Sequence, residues 1–382
     1  VLNREQGLRV VHVYRTYFPE TQGGLQEAIR QICRATAKVG VENSVFTLAK
    51  NPVPKTLHTE EAQVQRGRCV VEIASCDIGS PAVIFQFRRL VREVDLLHFH
   101  YPWPFGDVLG LLGGGAKPFV VTYHSDIVRQ RLLEGCYAPI RALFFRRAAR
   151  IITTSPAYQA GSQFLRAIRR PVETIPLCLD EFFVPAVDSA LVDVWRKRIG
   201  NVFFLFVGVL RYYKGLDYLV QAAIMTGLPV VIAGEGPEKN RLRALGGRYS
   251  NIHFVGHVDD TNKYALLDAC RAVVFPSHLR SEAFGVTLLE GAIRKKPLIS
   301  TEIGTGTSYV NQDGVTGFVV PPANSERLAA AMKQLAENAE MAERMGKASY
   351  LRYQELFSAQ AVGERYRALY QDVVTQHRSA SV

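Results

Sequence analysis

Two glutamates, a lysine and a helix start carry the chemistry that is most legible in this chain. The run Pro276-Ser277-x-x-x-Ser281-Glu282-Ala283-Phe284-Gly285-Val286-x-x-x-Glu290-Gly291-Ala292 follows an apolar stretch that reads as a buried strand, and it opens a helix. A helix start leaves backbone N–H groups without intrahelical acceptors and carries the positive end of the helix dipole, so it is a ready anion site. The amides of Phe284, Gly285 and Val286 are placed to hold a diphosphate. Glu282 precedes the helix and Glu290 lies roughly a turn and a half inside it. The two carboxylates can therefore address different parts of one elongated ligand, although either alone also reads as a plain surface glutamate.

A second loop, Val207-Gly208-Val209-Leu210-Arg211-Tyr212-Tyr213-Lys214-Gly215, follows another expected strand. Gly208 lets the backbone approach a ligand closely, and the cations of Arg211 and Lys214 are suited to neutralising a leaving diphosphate. A solvated Arg/Lys pair is the plain alternative. In the first half, Gly23-Gly24 occupies the first strand-to-helix loop, where a doubly wound sheet accepts phosphate. His124 ends a strand in Thr122-Tyr123-His124-Ser125-Asp126, a placement that would aim it into a crevice between domains. His98 and His100 share one face of a strand end, as metal ligands can. No third ligand has matching spacing, so no metal is expected.

Such loops need a scaffold of alternating strands and helices. Strands are expected at Leu8 to Tyr14, Asn43–Leu48, Val94–Phe99, Pro118–Tyr123 and Arg150–Thr154, with a helix after Gly24 running to about Val39. The intervening helical stretches mark a parallel sheet covered on both faces. Residues 176–200, with Pro176, Pro185 and several acids, read as a linker. The alternation then restarts: strands at Val202–Val207, Pro229–Ala233, Ile252–Val255, Ala272–Phe275 and Pro297–Ser300, with helices at Leu216–Met225 and from Glu238, Asn262 and about Phe284. From Asn324, a candidate helix cap, the chain is helical almost to its end.

At 382 residues, 48% of them hydrophobic, the chain can fill two cores. It lacks the roughly 20 apolar residues in a row that span a bilayer and shows no secretory signal pattern. Val1 is not a usual initiating residue, so residues 1–7 read as a foreign or alternative start. The six cysteines form no C-x-x-C pair and read as reduced, buried thiols. The net charge of +11 fits nucleic acid, an anionic membrane face or a small anion. Arginines crowd the stretch from Arg88 to Arg170. Neither helix-turn-helix, RNP-like nor zinc-finger spacing occurs, so nucleic acid is not an expected partner. Neither Asp-x-Asp nor a P-loop is present.

Taken together, these elements resemble the retaining GT-B glycosyltransferases of family 4, from about Arg9 to Val374. The matching motifs are Gly23-Gly24, the His124 strand end, Lys214-Gly215, Gly234-Glu235-Gly236-Pro237, the Glu282/Glu290 pair and Asp313-Gly314-x-x-Gly317. The segment Glu302-Ile303-Gly304-Thr305-Gly306-Thr307-Ser308-Tyr309-Val310 is similar to a subgroup that builds bacterial surface polysaccharide, such as O-antigen, from mannose or D-rhamnose donors. The resemblance implies an α/β fold of two Rossmann-like doubly wound domains facing a central cleft. Residues 1–180 would form the acceptor domain and 181–356 the nucleotide-sugar donor domain, with the helix of 357–382 returning to the first.

It also assigns roles. Glu290 would accept from the ribose hydroxyls, and Glu282 would lie beside the donor sugar. Lys214 and the 284–286 amides would hold the diphosphate with help from Gly24, and His124 would touch the sugar or its phosphate. Val209 departs from the pattern, which has an arginine there; Arg211 stands two positions on. The implied reaction moves a hexose from a GDP-sugar, with retention and without a metal cofactor, to a lipid-linked glycan. The implied enzyme is cytoplasmic. Pro139–Arg147, read as a helix with Pro139 in its first turn, has the composition of an interfacial helix that would dock on the anionic inner face of the membrane, and it reads equally as a core-packed helix with a solvated basic face. The competing readings are a nucleotide-sugar epimerase or phosphorylase of the same fold, and a basic protein that binds membranes or nucleic acid.

Overall fold

The computed structural model describes residues 7–73, 76–125 and 131–380, the side chains of 131–136 excepted. Asp126 and Arg129 lie outside the described residues. The chain divides into two units, one of Val1–Thr154, Ser162–Cys178 and Ala359–Val382, the other of Ser155–Gly161 and Leu179–Ser358.

In chain order the first part of the molecule runs β1 (Leu8–Val13), α1 (Gly24–Lys38), β2 (Val41–Ala49), β3 (Thr56–His58), β4 (Gln63–Ile73), β5 (Cys76–Gly79), α2 (Pro81–Glu93) and β6 (Leu96–Tyr101). It continues with α3 (Pro104–Gly113), β7 (Phe119–Tyr123), α4 (Arg131–Arg147), β8 (Arg150–Thr153), α5 (Pro156–Gly161), α6 (Gln163–Ala167) and β9 (Val172–Thr174). The sheet order is β3-β4-β2-β1-β6-β7-β8-β9, with β5 antiparallel to β4. Crossovers run outward in both directions from β1 and β6, so the strand order reverses between these two. Side chains alternate faces along a strand, and His12 on β1 pairs in register with His98 on β6. His100 likewise pairs with Thr122 on β7. One face of the sheet therefore collects His12, His98, His100, Thr122 and, two residues on, His124.

The second unit runs α7 (Ser189–Ile199), β10 (Phe204–Val207), α8 (Leu216–Thr226), β11 (Val230–Ala233), α9 (Lys239–Gly246), β12 (Ile252–Gly256), α10 (Asp260–Ala269) and β13 (Ala272–Phe275). After these come α11 (Val286–Ile293), β14 (Leu298–Thr301), α12 (Thr307–Val310), β15 (Gly317–Val320), α13 (Ser325–Glu337) and α14 (Ala339–Leu356). Its strands are all parallel, in the order β12-β11-β10-β13-β14-β15. This is a doubly wound sheet whose order reverses between β10 and β13, where ligands of such sheets bind. Asn324 and Asn338 cap α13 and α14, accepting from the amides of Arg327 and Met341, each at 2.8 Å.

The final helix, α15 (Ala359–Ala380), packs on α1 in the first unit. Val362, Tyr366, Leu369, Tyr370 and Val373 enter a core with Val10, Ile32, Leu96, Val120 and Ile152.

Two expectations are corrected. Residues 189–199 are not linker but α7. Val192, Trp195 and Ile199 bury one stripe of it, Asp188 caps its start by accepting from Ala190 N at 2.9 Å, and it packs on α10. Pro139 does not begin its helix: α4 starts at Arg131 and carries the proline inside. There, the missing N–H costs the helix one backbone bond.

Candidate active site

The two loops that follow the switch strands of the second sheet meet at Lys214 and Glu282. After β10 the chain forms one tight turn at Tyr212–Lys214 and enters α8 through Gly215 in the left-handed region, with φ 66°. A Cβ at Gly215 would stand 2.1 Å from the carbonyl oxygen of Pro276, which follows β13. Glycine is required for this approach. The same contact region ties His278 N to Tyr213 O at 3.0 Å. Lys214 Nζ pairs with Glu282 Oε2 and lies 4.5 Å from the centroid of the Phe275 ring. Both partners are mostly buried, so the pair is shielded from water. Gly208 holds the loop root: its amide donates to Ala233 O at 3.0 Å, and Gly234 packs directly on its carbonyl.

Helix α11 begins beside this pair. Phe284 is buried, Gly285 takes φ 91° as the residue before the helix, and Val286 is its first residue. Thr287 Oγ1 donates to Val207 O at 3.3 Å, which holds the helix start against the end of β10. In that first turn Leu288 N donates to Gly285 O at 2.9 Å, while the amides before it lack an acceptor one turn back. Glu290, a turn further on, pairs with Lys263 Nζ of α10 at 2.8 Å, and that ammonium also meets Asp260 at 2.8 Å. Burial alone would lower the Lys263 pKa, but the two carboxylates outweigh it and the net shift is upward. Arg211, by contrast, is exposed, and its side chain hydrogen-bonds Tyr213 rather than pairing with Glu282.

Three buried polar atoms of this edge have no hydrogen-bond partner: Ser277 Oγ, His278 Nδ1 and Thr305 Oγ1. Buried polar atoms are nearly always satisfied, and these three are groups that a polar ligand would satisfy. Sequence reading missed His278, Thr305 and Lys263. Their signal was position, since His278 and Thr305 follow β13 and β14 and Lys263 lies in the first turn of α10.

In the first unit, Gly23 precedes α1 with an extended φ of −168°, open to any residue, and a Cβ on Gly24 would meet nothing within 4 Å. A Cβ on Gly23 would stand 2.7 Å from Gln26 Oε1, so only Gly24 leaves space, and neither glycine is demanded by backbone strain. His124 follows β7, one strand beyond the switch point. Its Nε2 lies 3.0 Å from His100 Nδ1, and His100 Nε2 lies 3.1 Å from His12 Nδ1. Burial pushes His12 down to about 4 and His124 to about 3. It also drives His98 and His100 well below the usual imidazole range, helped by their neighbours. The third imidazole that spacing did not reveal is His12, brought in by the β1–β6 register. Nitrogens of His12, His98 and His100 lie within 4.8 Å of one another. Hydrogen bonds already engage them: His98 meets Tyr370 Oη at 2.7 Å and Thr122 Oγ1 at 2.6 Å.

Comparison with known proteins identifies the family. The family described as Glycosyl transferases group 1 matches residues 191–352, and Glycosyltransferase Family 4 matches 22–181. The D-rhamnosyltransferase WbpZ of Pseudomonas aeruginosa is 46% identical over 356 residues, which cover 92% of this chain and 93% of that one. The chain belongs to glycosyltransferase family 4. The O-antigen chain mannosyltransferase C of Escherichia coli is 43% identical over 365 residues, covering 95% and 98%. Among solved structures, Anabaena HepE in complex with UDP superposes with a TM-score of 0.78 at 16% identity, over 96% of this chain and 100% of that one. Sucrose-phosphate synthase from Thermosynechococcus elongatus gives 0.76 at 21%, over 97% and 100%. At such identities the likeness establishes the fold, which is GT-B. This glycosyltransferase thus carries, on its second sheet, a cation, two carboxylates and a helix start along one edge.

Proposed function

We propose that this glycosyltransferase moves mannose or D-rhamnose from a GDP-sugar, with retention of configuration and without a metal, to a lipid-linked bacterial surface polysaccharide. The observation that carries the transfer chemistry is the Lys214–Glu282 pair beside the start of α11 at the switch point. Breaking a sugar–phosphate bond leaves positive charge on the ring and negative charge on the diphosphate. Lys214 and the amides at the start of α11 are fixed donors for the developing anion, and such preorganised groups act most strongly in a dry site. Glu282 sits where it balances the cationic side. Glu290 keeps one oxygen on Lys263 and has a second for a ribose hydroxyl. Arg211 is the exposed reserve cation. In the other unit, the Gly23-Gly24 helix start and His124 would complete the donor contacts. The two relatives named for rhamnosyl and mannosyl transfer support the choice of sugar.

Thermal shift with GDP, UDP, ADP and their sugars tests the base, because a true donor stabilises the fold by mass action. Product analysis in EDTA then tests transfer. Loss of activity in EDTA that Mg²⁺ or Mn²⁺ restores would count against the metal-free mechanism.

The membrane part of the proposal rests on the first unit. Phe85, Leu112, Ile140 and Leu143 are exposed on the adjoining helices α2, α3 and α4, among exposed Arg88, Arg89, Arg92, Arg146 and Arg147. Arg141 is not part of that set, because its guanidinium lies over the Phe164 ring at 4.7 Å. No helix among the described residues is long and apolar enough to cross a membrane, so docking would be peripheral.

A further inference from the structure

A directed line of hydrogen bonds runs from Asn43 to His124. Asn43 sets its direction. Its Nδ2 donates to the carbonyl oxygens of Cys33 at 2.9 Å and Val41 at 3.4 Å, which turns Oδ1 toward His12 Nε2 at 3.2 Å. An amide oxygen only accepts, so His12 carries its proton on Nε2. A neutral imidazole has one donor and one acceptor nitrogen. His12 Nδ1 therefore accepts from His100 Nε2, and His100 Nδ1 accepts from His124 Nε2. Burial keeps the rings neutral at physiological pH. The line ends with a lone pair on His124 Nδ1.

We infer that Asn43, His12 and His100 are positioning residues that hold His124 in its Nε2–H tautomer, so that its Nδ1 accepts from a sugar hydroxyl instead of donating to a phosphate oxygen. The tautomer follows from the geometry and from the neutrality of these buried rings; the sugar as its partner rests on the function proposed above. A phosphate oxygen offers no proton to a bare Nδ1, whereas every sugar hydroxyl does. His124 thus belongs with recognition of the glycosyl group, and diphosphate binding falls to other residues. His98 stacks on His100 with ring centroids 4.3 Å apart. Its own nitrogens are taken by Tyr370 and Thr122, so it braces the line without joining it.

Nitrogen-15 NMR of histidine-labelled protein, with His124→Gln for assignment, reads the tautomer directly. In the free wild type between pH 6 and 8, His124 should be protonated on Nε2 and bare on Nδ1. His100→Leu removes the acceptor and should leave His124 a mixture of tautomers. It should also lower kcat/KM for the nucleotide sugar by roughly 3- to 10-fold, the worth of one neutral hydrogen bond. Affinity for the nucleoside diphosphate alone, probed with whichever of GDP or UDP the wild type binds, should stay within about twofold. His12→Gln keeps a donor toward Asn43 and an acceptor toward His100, so the His124 tautomer should survive it. If His100→Leu does not fold, the wild-type and His12→Gln spectra still decide. An Nδ1–H tautomer in the wild type, an unchanged tautomer in His100→Leu, or a parallel loss of nucleoside diphosphate affinity overturns the inference. A clean Nε2–H signal in a protein that ignores every nucleotide sugar would instead overturn the glycosyl reading and leave the tautomer assignment standing.

Discussion

Glu290 and Glu282 differ in what they hold before any ligand arrives, and that difference predicts different phenotypes. Glu290 is braced by Lys263 at 2.8 Å, whereas Glu282 is paired with the site cation itself. Glu290→Ala should weaken nucleoside diphosphate binding by about tenfold or more, since a charged hydrogen bond contributes roughly 1.5–3 kcal/mol. Glu282→Ala should mainly lower the rate of transfer. Calorimetry on both variants separates them, and equal nucleotide affinity for wild type and Glu290→Ala would remove Glu290 from the ribose role. The buried histidines make a second prediction, about pH. His12 and His124 are held down to about 4 and about 3 from 6.5. Below pH 6.5 the unfolded chain takes up protons that the folded chain refuses, so stability is full above that value and falls as the pH drops toward the folded values. The urea midpoint of wild type should fall between pH 6.5 and 4, and His12→Gln should show a shallower fall. Parallel curves would mean that His12 is not buried neutral. Glu282, Glu290 and Lys214 were legible because residue type and local spacing carry them. The histidine line was not, because His12 and His100 are 88 positions apart and only strand register joins them.

At the scale of elements, the same logic separates two glycines that bracket α8. Gly215 before it and Gly227 after it have φ 66° and φ 69°. A Cβ at Gly227 would meet nothing within 4 Å, yet one at Gly215 would collide with Pro276 O. Gly227→Ala should therefore cost only left-handed backbone strain, on the order of 1–2 kcal/mol. Gly215→Ala should cost more and also weaken nucleoside diphosphate binding, because it drives the lysine loop from the glutamate loop. Equal melting points for the two variants would show that the loops do not depend on this contact. The strands flanking these loops were readable from short, wholly apolar runs such as Ala272–Phe275. β4 was not, since Gln63, Gln65, Arg66, Arg68 and Glu72 break its apolar pattern. Arg66 is nevertheless buried, matched by Glu20. α7 was hidden by its acidic and proline-rich approach, although Val192, Trp195 and Ile199 hold the helical spacing.

For the whole molecule, the exposed apolar and arginine-rich face of α2, α3 and α4 predicts salt-sensitive docking to anionic vesicles. Each basic residue near such a surface contributes on the order of 1 kcal/mol within a Debye length. Arg89→Glu combined with Arg92→Glu and Arg146→Glu should abolish co-sedimentation at physiological salt while sparing the fold. Binding that ignores lipid charge, salt and these reversals would leave the arginines as a solvated face. The placement of α15 has a consequence of another kind, for biosynthesis. The ribosome makes the first sheet early, but its core lacks Val362, Tyr366, Leu369, Tyr370 and Val373 until the stretch Leu179–Ser358 has been synthesised. That delay of about 180 residues lasts roughly 10–35 s at common elongation rates. During it, the apolar faces of α1 and the sheet stand open to chaperones and to neighbouring nascent chains. The second unit can close meanwhile, so the unit made first is finished last. A released chain truncated after Ser358 should accordingly show a protease-resistant second unit and a protease-sensitive first one.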